Sequence, residues 1–392
     1  MNLLLVHNHY HQHGGEDEIF ASEARLLHQY GHKVVEYEDH NHRINEMNQF
    51  SIVLQAIWSR SSKRKLLGEL RDAQPDIVHF HNTFVLISPS AYYACKELGI
   101  PVIQTLHNYR LLCPTATFYR DGRVCEDCLG KTPPWPGVLH ACYHGSRMHT
   151  AAVATMLTSH RLLNTWKKQV DVYITLTEFS KRKFIEGGIP QEKIFIKPNF
   201  VYPDPGMREC DRGYALFLGR LSPEKGINTL LKAWRYLGEI PLKVIGSGPL
   251  MKEVQGFVQI EKLKNIEILG QRPYEEVLGF VKGARFLVIP SECYENFPMV
   301  IAEAFACGVP VVASRLGAMA EIVEDGQTGL HFEPGNPEDL AAKVEWAWMH
   351  AREMKRMGCG ARAEYETKYT AERNYKMLMD IYQMACERGG RG

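Results

Sequence analysis

Two cations flank a turn at the point where a buried strand would meet the next helix, in the segment GRLSPEKG (219–226). Arg220 and Lys225 follow an apolar run, 214–219, that predicts the strand. Backbone N–H groups at a helix N-terminus attract anions, while Arg and Lys hold phosphates by bidentate and point-charge contacts. The spacing therefore predicts a phosphate site, and a pair of solvated surface cations is an equally simple interpretation of these residues alone.

Two carboxylates lie eight residues apart in the segment 291–314, SECYENFPMVIAEAFACGVPVVAS. Glu295 stands in the loop after a predicted strand, and the helix that is predicted from Phe297 onward ends at Gly308. Glu303 would then lie about two turns deeper than Glu295. Two such carboxylates can each hold a pair of sugar hydroxyls. Taken without context, the pattern favours local capping or salt bridging.

Glycines at two other strand ends predict places where backbone can approach a ligand closely. Gly246 and Gly248 lie in GSGP after the predicted strand 242–246, and Gly14 and Gly15 follow the first strand. Each signal is weak, because many strand-to-helix turns require glycine.

Histidines are concentrated in the first 160 residues, and several stand at strand ends. His107 ends the predicted strand 101–107, where a histidine alone is more often structural than functional. Two further sets alternate along the chain, and we expect their side chains to fan outward as the strands end. Alternating histidines bind metal or line a polar groove, and lining an acceptor groove is the favoured interpretation. These sets are His7, His9, His11 and His13, and His79 and His81.

Four cysteines fall within 30 residues at the spacing C-x11-C-x2-C-x13-C: Cys113, Cys125, Cys128 and Cys142. A CxxC centre is typical of zinc or iron–sulfur ligation. Residues 110–149 contain no convincing strand or helix, so this stretch needs a staple. The pattern predicts one structural zinc ahead of an iron–sulfur cluster, and four free thiols are the alternative.

Short Val- and Ile-rich runs alternate with helical periodicity in both halves, which predicts parallel sheets of βαβ units. In the first half the predicted strands are 3–7, 33–38, 76–82, 101–107 and 172–177. In the second half they are 214–219, 242–246, 266–270, 285–290 and 310–314. The Pro- and Gly-rich stretch 198–213 predicts the linker between the halves, and residues from about 337 to 387 predict helices only.

Composition excludes several classes of protein. The chain has 392 residues and a net charge of +1 from 46 Lys and Arg against 45 Asp and Glu, which argues against a broad nucleic-acid surface. Its sequence contains no apolar run of about 18 residues and begins without a basic export signal, so we expect a cytoplasmic location. The basic segment 58–71 predicts an amphipathic helix on the inner face of an anionic membrane, or a solvated surface.

Together GRLSPEKG, GSGP and the Glu295/Glu303 pattern resemble the donor-binding domain of retaining glycosyltransferases of family four (glycosyl transferases group 1), which have the GT-B fold. The resemblance implies an α/β chain with two Rossmann-like domains facing across a cleft. Residues 1–200 would bind the acceptor and carry a Cys-rich insertion at 110–149. Residues 205–370 would bind a nucleotide sugar, and a helix at 371–392 would cross back to the N-terminal domain.

The resemblance also implies roles for individual residues. Arg220 and Lys225 would bind the donor diphosphate, with Gly14 and Gly15 nearby and Gly246 and Gly248 close to the nucleotide. Glu295 would hold the donor sugar, Glu303 the ribose, and His107 would orient the sugar. The family often has Gly-Phe-Gly after the first Glu, whereas this chain has Asn-Phe-Pro. Because proline donates no hydrogen bond, contacts would come from Phe297, Met299 or Val300, or from the Asn296 side chain.

The expected activity is therefore transfer of a hexosyl group, with retention, from a UDP- or GDP-linked donor to a saccharide or lipid-linked acceptor. Cell-surface polysaccharide or glycolipid synthesis is the expected setting. No catalytic cofactor is implied, and the only metal expected is the structural zinc. The alternatives are a sugar-nucleotide epimerase of the same fold and a non-catalytic nucleotide-sugar-binding protein.

Overall fold

The computed structural model describes residues 1–11 and 14–388 and divides the chain into two compact units. The first unit contains Met1–Thr117, Glu126–Asn199 and the chain from Asn374 onward. The second contains Phe118–Cys125 and Phe200–Arg373. A short part of the expected insertion thus belongs to the second unit, while the last helix, apart from its first three residues, belongs to the first. Residues 389–392 of the expected terminal segment lie outside the described residues.

The first unit contains a parallel sheet of six strands in the order β2-β1-β3-β4-β7-β8. The strands are β1 (Asn2–His9), β2 (Lys33–His40), β3 (Ile77–Phe80), β4 (Val102–Thr105), β7 (Val172–Thr175) and β8 (Ile194–Ile196). The helices are α1 (Gly15–Gln29), α2 (Gln49–Ile57), α3 (Arg60–Ala73), α4 (Ser90–Glu97), α5 (Trp135–Leu139), α6 (Arg147–Leu162), α7 (Thr165–Lys168), α8 (Glu178–Glu186) and α16 (Ala371–Arg388).

The second unit repeats this design with the order β11-β10-β9-β12-β13-β14. Its strands are β9 (Ala215–Leu218), β10 (Leu242–Ile245), β11 (Ile266–Gly270), β12 (Phe286–Ile289), β13 (Val311–Ser314) and β14 (Gly329–Phe332). Its helices are α9 (Ile227–Trp234), α10 (Met251–Ile260), α11 (Tyr274–Gly283), α12 (Met299–Ala306), α13 (Gly317–Ile322), α14 (Pro337–Met349) and α15 (Ala351–Lys368).

Both central strands of each sheet are buried on their two faces, which is why their sequences are apolar runs rather than alternating patterns. In the first unit, helix α1 places Phe20, Ala24 and Leu27 at helical spacing against this sheet. Helix α16 adds Leu378 and Tyr382 to the same core. The core that packs on the sheet of the first unit therefore includes side chains from the last helix.

Residues 110–149 contain more regular structure than the sequence indicated. An antiparallel hairpin joins β5 (Tyr119–Arg120) to β6 (Arg123–Val124), and α5 follows it. Strands β8 and β14 were also missed by the sequence analysis. The prediction that 110–149 lacks helix and strand was wrong.

Candidate functional site

Each sheet reverses its strand order at one point, and several of the predicted functional residues follow the strands at these two points. In open α/β sheets, ligands bind outside the carboxyl ends of the strands at such a switch point. In the first unit the adjacent strands are β1 and β3, and in the second they are β9 and β12. The glycine pair at 14–15 follows β1, and Arg220 and Glu295 follow β9 and β12.

Lys225 and Glu295 form an ion pair in the second unit. The Lys225 Nζ lies 2.6 Å from Glu295 Oε1, which also accepts a 2.7 Å hydrogen bond from the Ser291 hydroxyl. The side chains are 30% and 13% exposed. Burial alone would lower the pKa of Lys225, but the Glu295 carboxylate outweighs it and raises that pKa. The structure therefore brings the predicted phosphate cation and the predicted sugar-binding carboxylate together, as a charged pair.

The surroundings of this pair are acidic and hydroxyl-rich. Glu292 accepts a 2.5 Å hydrogen bond from Thr229, and Glu224 accepts one of 2.6 Å from Ser222. Tyr119 of the hairpin lies near these carboxylates. Its burial, and then the charges of Glu292 and Glu224, raise its pKa to about 12. The hairpin thus supplies this corner of the second unit with a phenol that sequence reasoning missed.

Arg220 is exposed, and across the described residues its guanidinium makes no ion pair. It differs in this from Lys225, whose charge is already neutralised by Glu295. Its predicted contact with a diphosphate stays a prediction.

Helix α12 carries the second carboxylate and begins one residue after Pro298. Met299 and Val300 are its first two residues, so their N–H groups have no partner within the helix. Phe297 is 8% exposed, and its ring packs 5.6 Å from that of Tyr369. Glu303 lies in the second turn and is half-buried. The Phe297 side chain therefore belongs to the core, which leaves only its backbone for the predicted contact.

The packing of the protein itself explains why GSGP contains glycines. A Cβ on Gly246, where φ is 135°, would lie 1.9 Å from the Gly219 carbonyl oxygen. A Cβ on Gly248 would lie 2.4 Å from the Leu221 carbonyl oxygen. The two strand-end loops approach each other too closely for any side chain, so contact with a nucleotide is not needed to explain either glycine.

The glycine loop of the first unit leads into a buried carboxylate. Gly14 is the N-cap of α1, and its N–H donates a 2.7 Å hydrogen bond to Asp17. The other oxygen of Asp17 lies 2.8 Å from His7 Nε2 and 2.9 Å from His9 Nδ1. His7 is fully buried, so the expectation that the alternating histidines fan outward was wrong for it. His7 and His9 face α1, because the Asp17 carboxylate of that helix contacts both rings.

The second histidine set also points inward. His79 and His81 on and after β3 are buried, and both lie close to the Glu23 carboxylate of α1. His81 Nδ1 lies 2.9 Å from Nε2 of His107, which follows β4. Lys197 lies 2.9 Å from Glu23 and is 1% exposed. Sequence reasoning missed Glu23 and Lys197, although a Glu at a core-facing position of an amphipathic helix is a usable signal.

A further group beside His107 was also missed. Asn108 donates a 3.3 Å hydrogen bond to Glu16, and the Arg110 guanidinium lies 4.5 Å from the Phe84 ring. Burial, and then the charge of Asp17, raise the pKa of Glu16 to about 8. A cavity of about 40 Å³ in this unit is bordered by His107, Asn108 and Arg110. The signal in the sequence was a carboxylate directly after two glycines.

Three groups of the described residues bring three potential metal ligands within 4.8 Å of one another. They are His7, His9 and Asp17; His9, Glu38 and His40; and Glu23, His79 and His81. None of these groups, within the described part of the chain, includes a cysteine. Cys128 Sγ instead accepts a 3.2 Å hydrogen bond from the Gly137 N–H, and Cys113 lies 3.1 Å from the Thr115 hydroxyl. His11 is exposed, and His13 lies outside the described residues.

Helix α3 forms over most of the predicted amphipathic segment 58–71, but its apolar side faces the protein. Leu66 and Leu70 are buried, and the helix packs on α4, so its apolar face is not available to a membrane. The basic side chains that face outward are Arg60, Arg64, Lys65 and Arg71. No helix among the described residues is long and apolar enough to cross a bilayer.

Comparisons with known proteins cover both units. The family model described as Glycosyltransferase Family 4 matches residues 6–204, and that described as Glycosyl transferases group 1 matches residues 208–364. One uncharacterized glycosyltransferase of Methanocaldococcus jannaschii is 35% identical over 175 residues, which are 45% of this chain and about half (49%) of that protein. Another from the same organism is 25% identical over 380 residues, covering 92% of this chain and 90% of its own.

The D-rhamnosyltransferase WbpZ of Pseudomonas aeruginosa is 27% identical over 179 residues, which cover 43% of this chain and 47% of WbpZ. Among solved structures, HepE of Anabaena in complex with UDP and glucose superposes with a TM-score of 0.70 at 16% identity, covering 98% of this chain and 99% of HepE. That likeness identifies the fold as GT-B. Since the first family model alone spans half of the sequence, the chain belongs to glycosyltransferase family 4 and is a group 1 glycosyltransferase.

Proposed function

We propose that the chain transfers a hexosyl group, with retention of anomeric configuration, from a UDP- or GDP-linked sugar to a saccharide or lipid-linked acceptor. The single observation that carries this proposal is the 2.6 Å pair of Lys225 and Glu295 after β9 and β12. Lys225 is a cation of the kind that binds phosphate, and Glu295 beside it is a carboxylate of the kind that binds hydroxyls. The sugar–phosphate linkage of a nucleotide sugar requires both groups in one place. The comparisons support polysaccharide or glycolipid synthesis as the setting.

The proposed mechanism separates charge at the anomeric centre. As the sugar–phosphate bond breaks, positive charge develops on the sugar and negative charge on the leaving diphosphate. Lys225, Arg220 and the N–H groups of Met299 and Val300, which have no partner within their helix, would stabilise the leaving group, because preorganised donors act most strongly where charge develops. Glu295 would hold sugar hydroxyls, Glu303 the ribose, and His107 would orient the sugar. Group 1 enzymes of this fold generally need no catalytic metal.

Product analysis tests the proposal. The chain would be incubated with UDP-glucose, UDP-galactose or GDP-mannose and a panel of nitrophenyl glycosides, and the one-bond C–H coupling at the new anomeric centre would be measured by NMR. We expect a new glycoside with the anomeric configuration of the donor. An inverted product contradicts retention. Conversion of the nucleotide sugar to its epimer without transfer supports the epimerase alternative, and binding without turnover supports the binding protein.

We also propose peripheral contact with anionic membranes through the exposed basic residues of α3. Phe50 and Leu54 on α2 are 73% and 51% exposed and would add apolar contacts beside this charge. Each basic residue near an anionic surface contributes about 1 kcal/mol. Flotation with vesicles of phosphatidylglycerol should exceed flotation with phosphatidylcholine and fall with salt. Equal flotation with both lipids at low salt contradicts the proposal.

A structural zinc at Cys113, Cys125, Cys128 and Cys142 remains a separate proposal. It is supported by the spacing of the CxxC centre and by the burial of Cys113 and Cys128. The thiols' present hydrogen bonds to Gly137 and Thr115 would have to be exchanged for metal bonds. The metal would hold the loop and perform no chemistry.

A further inference from the structure

A chain of three side chains connects helix α1 to His107 through the core of the first unit. The Glu23 carboxylate oxygen Oε1 lies 3.3 Å from His81 Nε2, and His81 Nδ1 lies 2.9 Å from His107 Nε2. The two imidazole rings are nearly coplanar, with planes 17° apart, so the shorter contact runs along their edges. Glu23 and His81 are 0% and 3% exposed, which shields the chain from water.

The carboxylate in this chain is ionised and its charge is balanced. Lys197 Nζ lies 2.9 Å from Glu23 Oε2 and 3.2 Å from the Asn374 side-chain oxygen, which fixes the ammonium group. Burial would raise the pKa of Glu23, but Lys197 and then His79 outweigh it and hold that pKa well below its usual value. Lys197 therefore supplies the counter-charge of the buried Glu23 carboxylate.

His81 and His107 are both neutral near pH 7. Burial, and then the neighbouring His79, lower the pKa of His81 to about 3. Burial, and then His81, lower the pKa of His107 well below its usual value. A neutral imidazole carries its proton on one nitrogen only, so each ring has one donor and one acceptor.

The order of donors and acceptors then follows from the carboxylate. An ionised carboxylate accepts hydrogen bonds and donates none, so the proton of His81 lies on Nε2, facing Glu23. The contact of 3.3 Å is long, and charge rather than a tight hydrogen bond sets the proton there. His81 Nδ1 is then an acceptor, and the 2.9 Å contact requires the proton of His107 to lie on Nε2. The remaining nitrogen of His107, Nδ1, is left as an acceptor.

Neighbouring groups keep His81 in this orientation. The ring of Phe20 packs edge-on against it with centroids 5.3 Å apart. His79 lies 2.9 Å from the Tyr382 hydroxyl and 2.8 Å from the Thr105 hydroxyl, which keeps that ring in place beside His81. Within the part of the chain that the structure describes, no group donates a hydrogen bond to His107 Nδ1.

We propose that Glu23 and His81 are positioning residues that hold the His107 proton on Nε2, so that Nδ1 accepts a hydrogen bond from a sugar hydroxyl. The role of Nδ1 toward substrate rests on the proposed glycosyl transfer, whereas the tautomer does not. His107 then orients a hydroxyl by accepting from it, and it cannot donate a proton to the leaving group through Nδ1.

Long-range ¹⁵N–¹H NMR on histidine-labelled full-length protein without donor tests the tautomer directly, with His107→Gln to assign the signals. We expect a protonated Nε2 and an unprotonated Nδ1 on His107. A protonated Nδ1 overturns the proposal whether or not the chain is an active transferase. If the tautomer is as expected and no sugar transfer is found, it is the proposed function that has failed.

Two substitutions of His81 test the consequence for activity. His81→Gln keeps a carbonyl oxygen that accepts from His107, whereas His81→Leu offers none. We expect the Leu variant to lose at least tenfold in kcat with the donor KM changed less than twofold, and the Gln variant to recover several-fold of that loss. His160→Leu is the matched control, since it removes another fully buried histidine with two hydrogen bonds. Equal losses in His81→Leu and His160→Leu, or a Gln variant no better than Leu, contradict the proposal. If His81→Leu does not fold, the NMR result decides.

Discussion

Replacing Lys225 by Met separates its part in binding the donor from its part in stabilising the fold. The substitution keeps the length of the side chain and removes the charge that lies 2.6 Å from Glu295. Because Lys225 is 30% exposed, solvent screens the pair, and its loss should cost no more than about 1 kcal/mol of folding stability. Losing a cation that stabilises a developing phosphate charge should cost on the order of 2–4 kcal/mol in the transition state. Turnover should therefore fall ~10²-fold or more while the protein stays folded.

The assay measures kcat/KM for the donor and the free energy of unfolding in urea for the same preparations. Glu295→Gln should show a similar loss of turnover, and the double variant should lose less than the sum, because the two residues contact each other. Lys232→Met, at an exposed position of α9 in the same unit, is the matched control and should change neither quantity. Near-normal turnover in Lys225→Met would refute the reasoning, as would a stability loss large enough to explain the lost activity.

Three other perturbations give separate tests. Glu16 has a pKa raised to about 8, so the folded state binds its proton more tightly than the unfolded state, and the stability that this proton contributes falls as pH rises from about 4.5 to 8. In urea unfolding, Glu16→Gln should therefore gain stability relative to the original chain between pH 5 and pH 8. A stability difference that stays constant over this range contradicts the prediction. Gly246→Ala should lower the unfolding temperature strongly because its Cβ would meet the Gly219 carbonyl, whereas Gly256→Ala in α10 meets nothing within 4 Å and should be neutral or stabilising by about 0.5–1 kcal/mol; equal effects would be the wrong result. Elemental analysis should find one zinc per chain, lost in the variant with Cys125→Ser and Cys128→Ser, which protease should then cut within 110–149; metal-free protein with an unaltered protease pattern in that variant contradicts the zinc.

The parallel sheets were predictable because their central strands are buried on both faces and appear as uninterrupted apolar runs. Arg220, Lys225, Glu295 and His107 became candidate site residues because they follow the ends of those runs, and ligands of such sheets bind at the carboxyl ends of the strands. The contacts between these residues could not be predicted in the same way. Nothing in the spacing showed that Lys225 would meet Glu295, because the two residues are 70 positions apart and meet only through the adjacency of β9 and β12.

The buried histidine network could not be predicted for a related reason. The histidines alternate along β1 and β3, and we expected their side chains to fan outward. Nothing in the sequence showed that α1 would present Asp17 and Glu23 to them. The hairpin was missed because each of its strands has two residues, too few for periodicity. The sequence analysis predicted that GSGP lies close to a nucleotide, and this stays a prediction. The structure adds a reason for its glycines that the sequence did not show, the close contact between two loops of the protein.

The last helix has a consequence for how the chain is made. His79 contacts Tyr382, 303 residues later, and Lys197 contacts Asn374. A ribosome that has released the whole N-terminal half has not yet released the residues that complete its core. Until Leu378 and Tyr382 emerge, the side chains of Leu3, Leu5 and their neighbours lack part of their cover. The first unit can therefore complete its core only after the second unit has been synthesised.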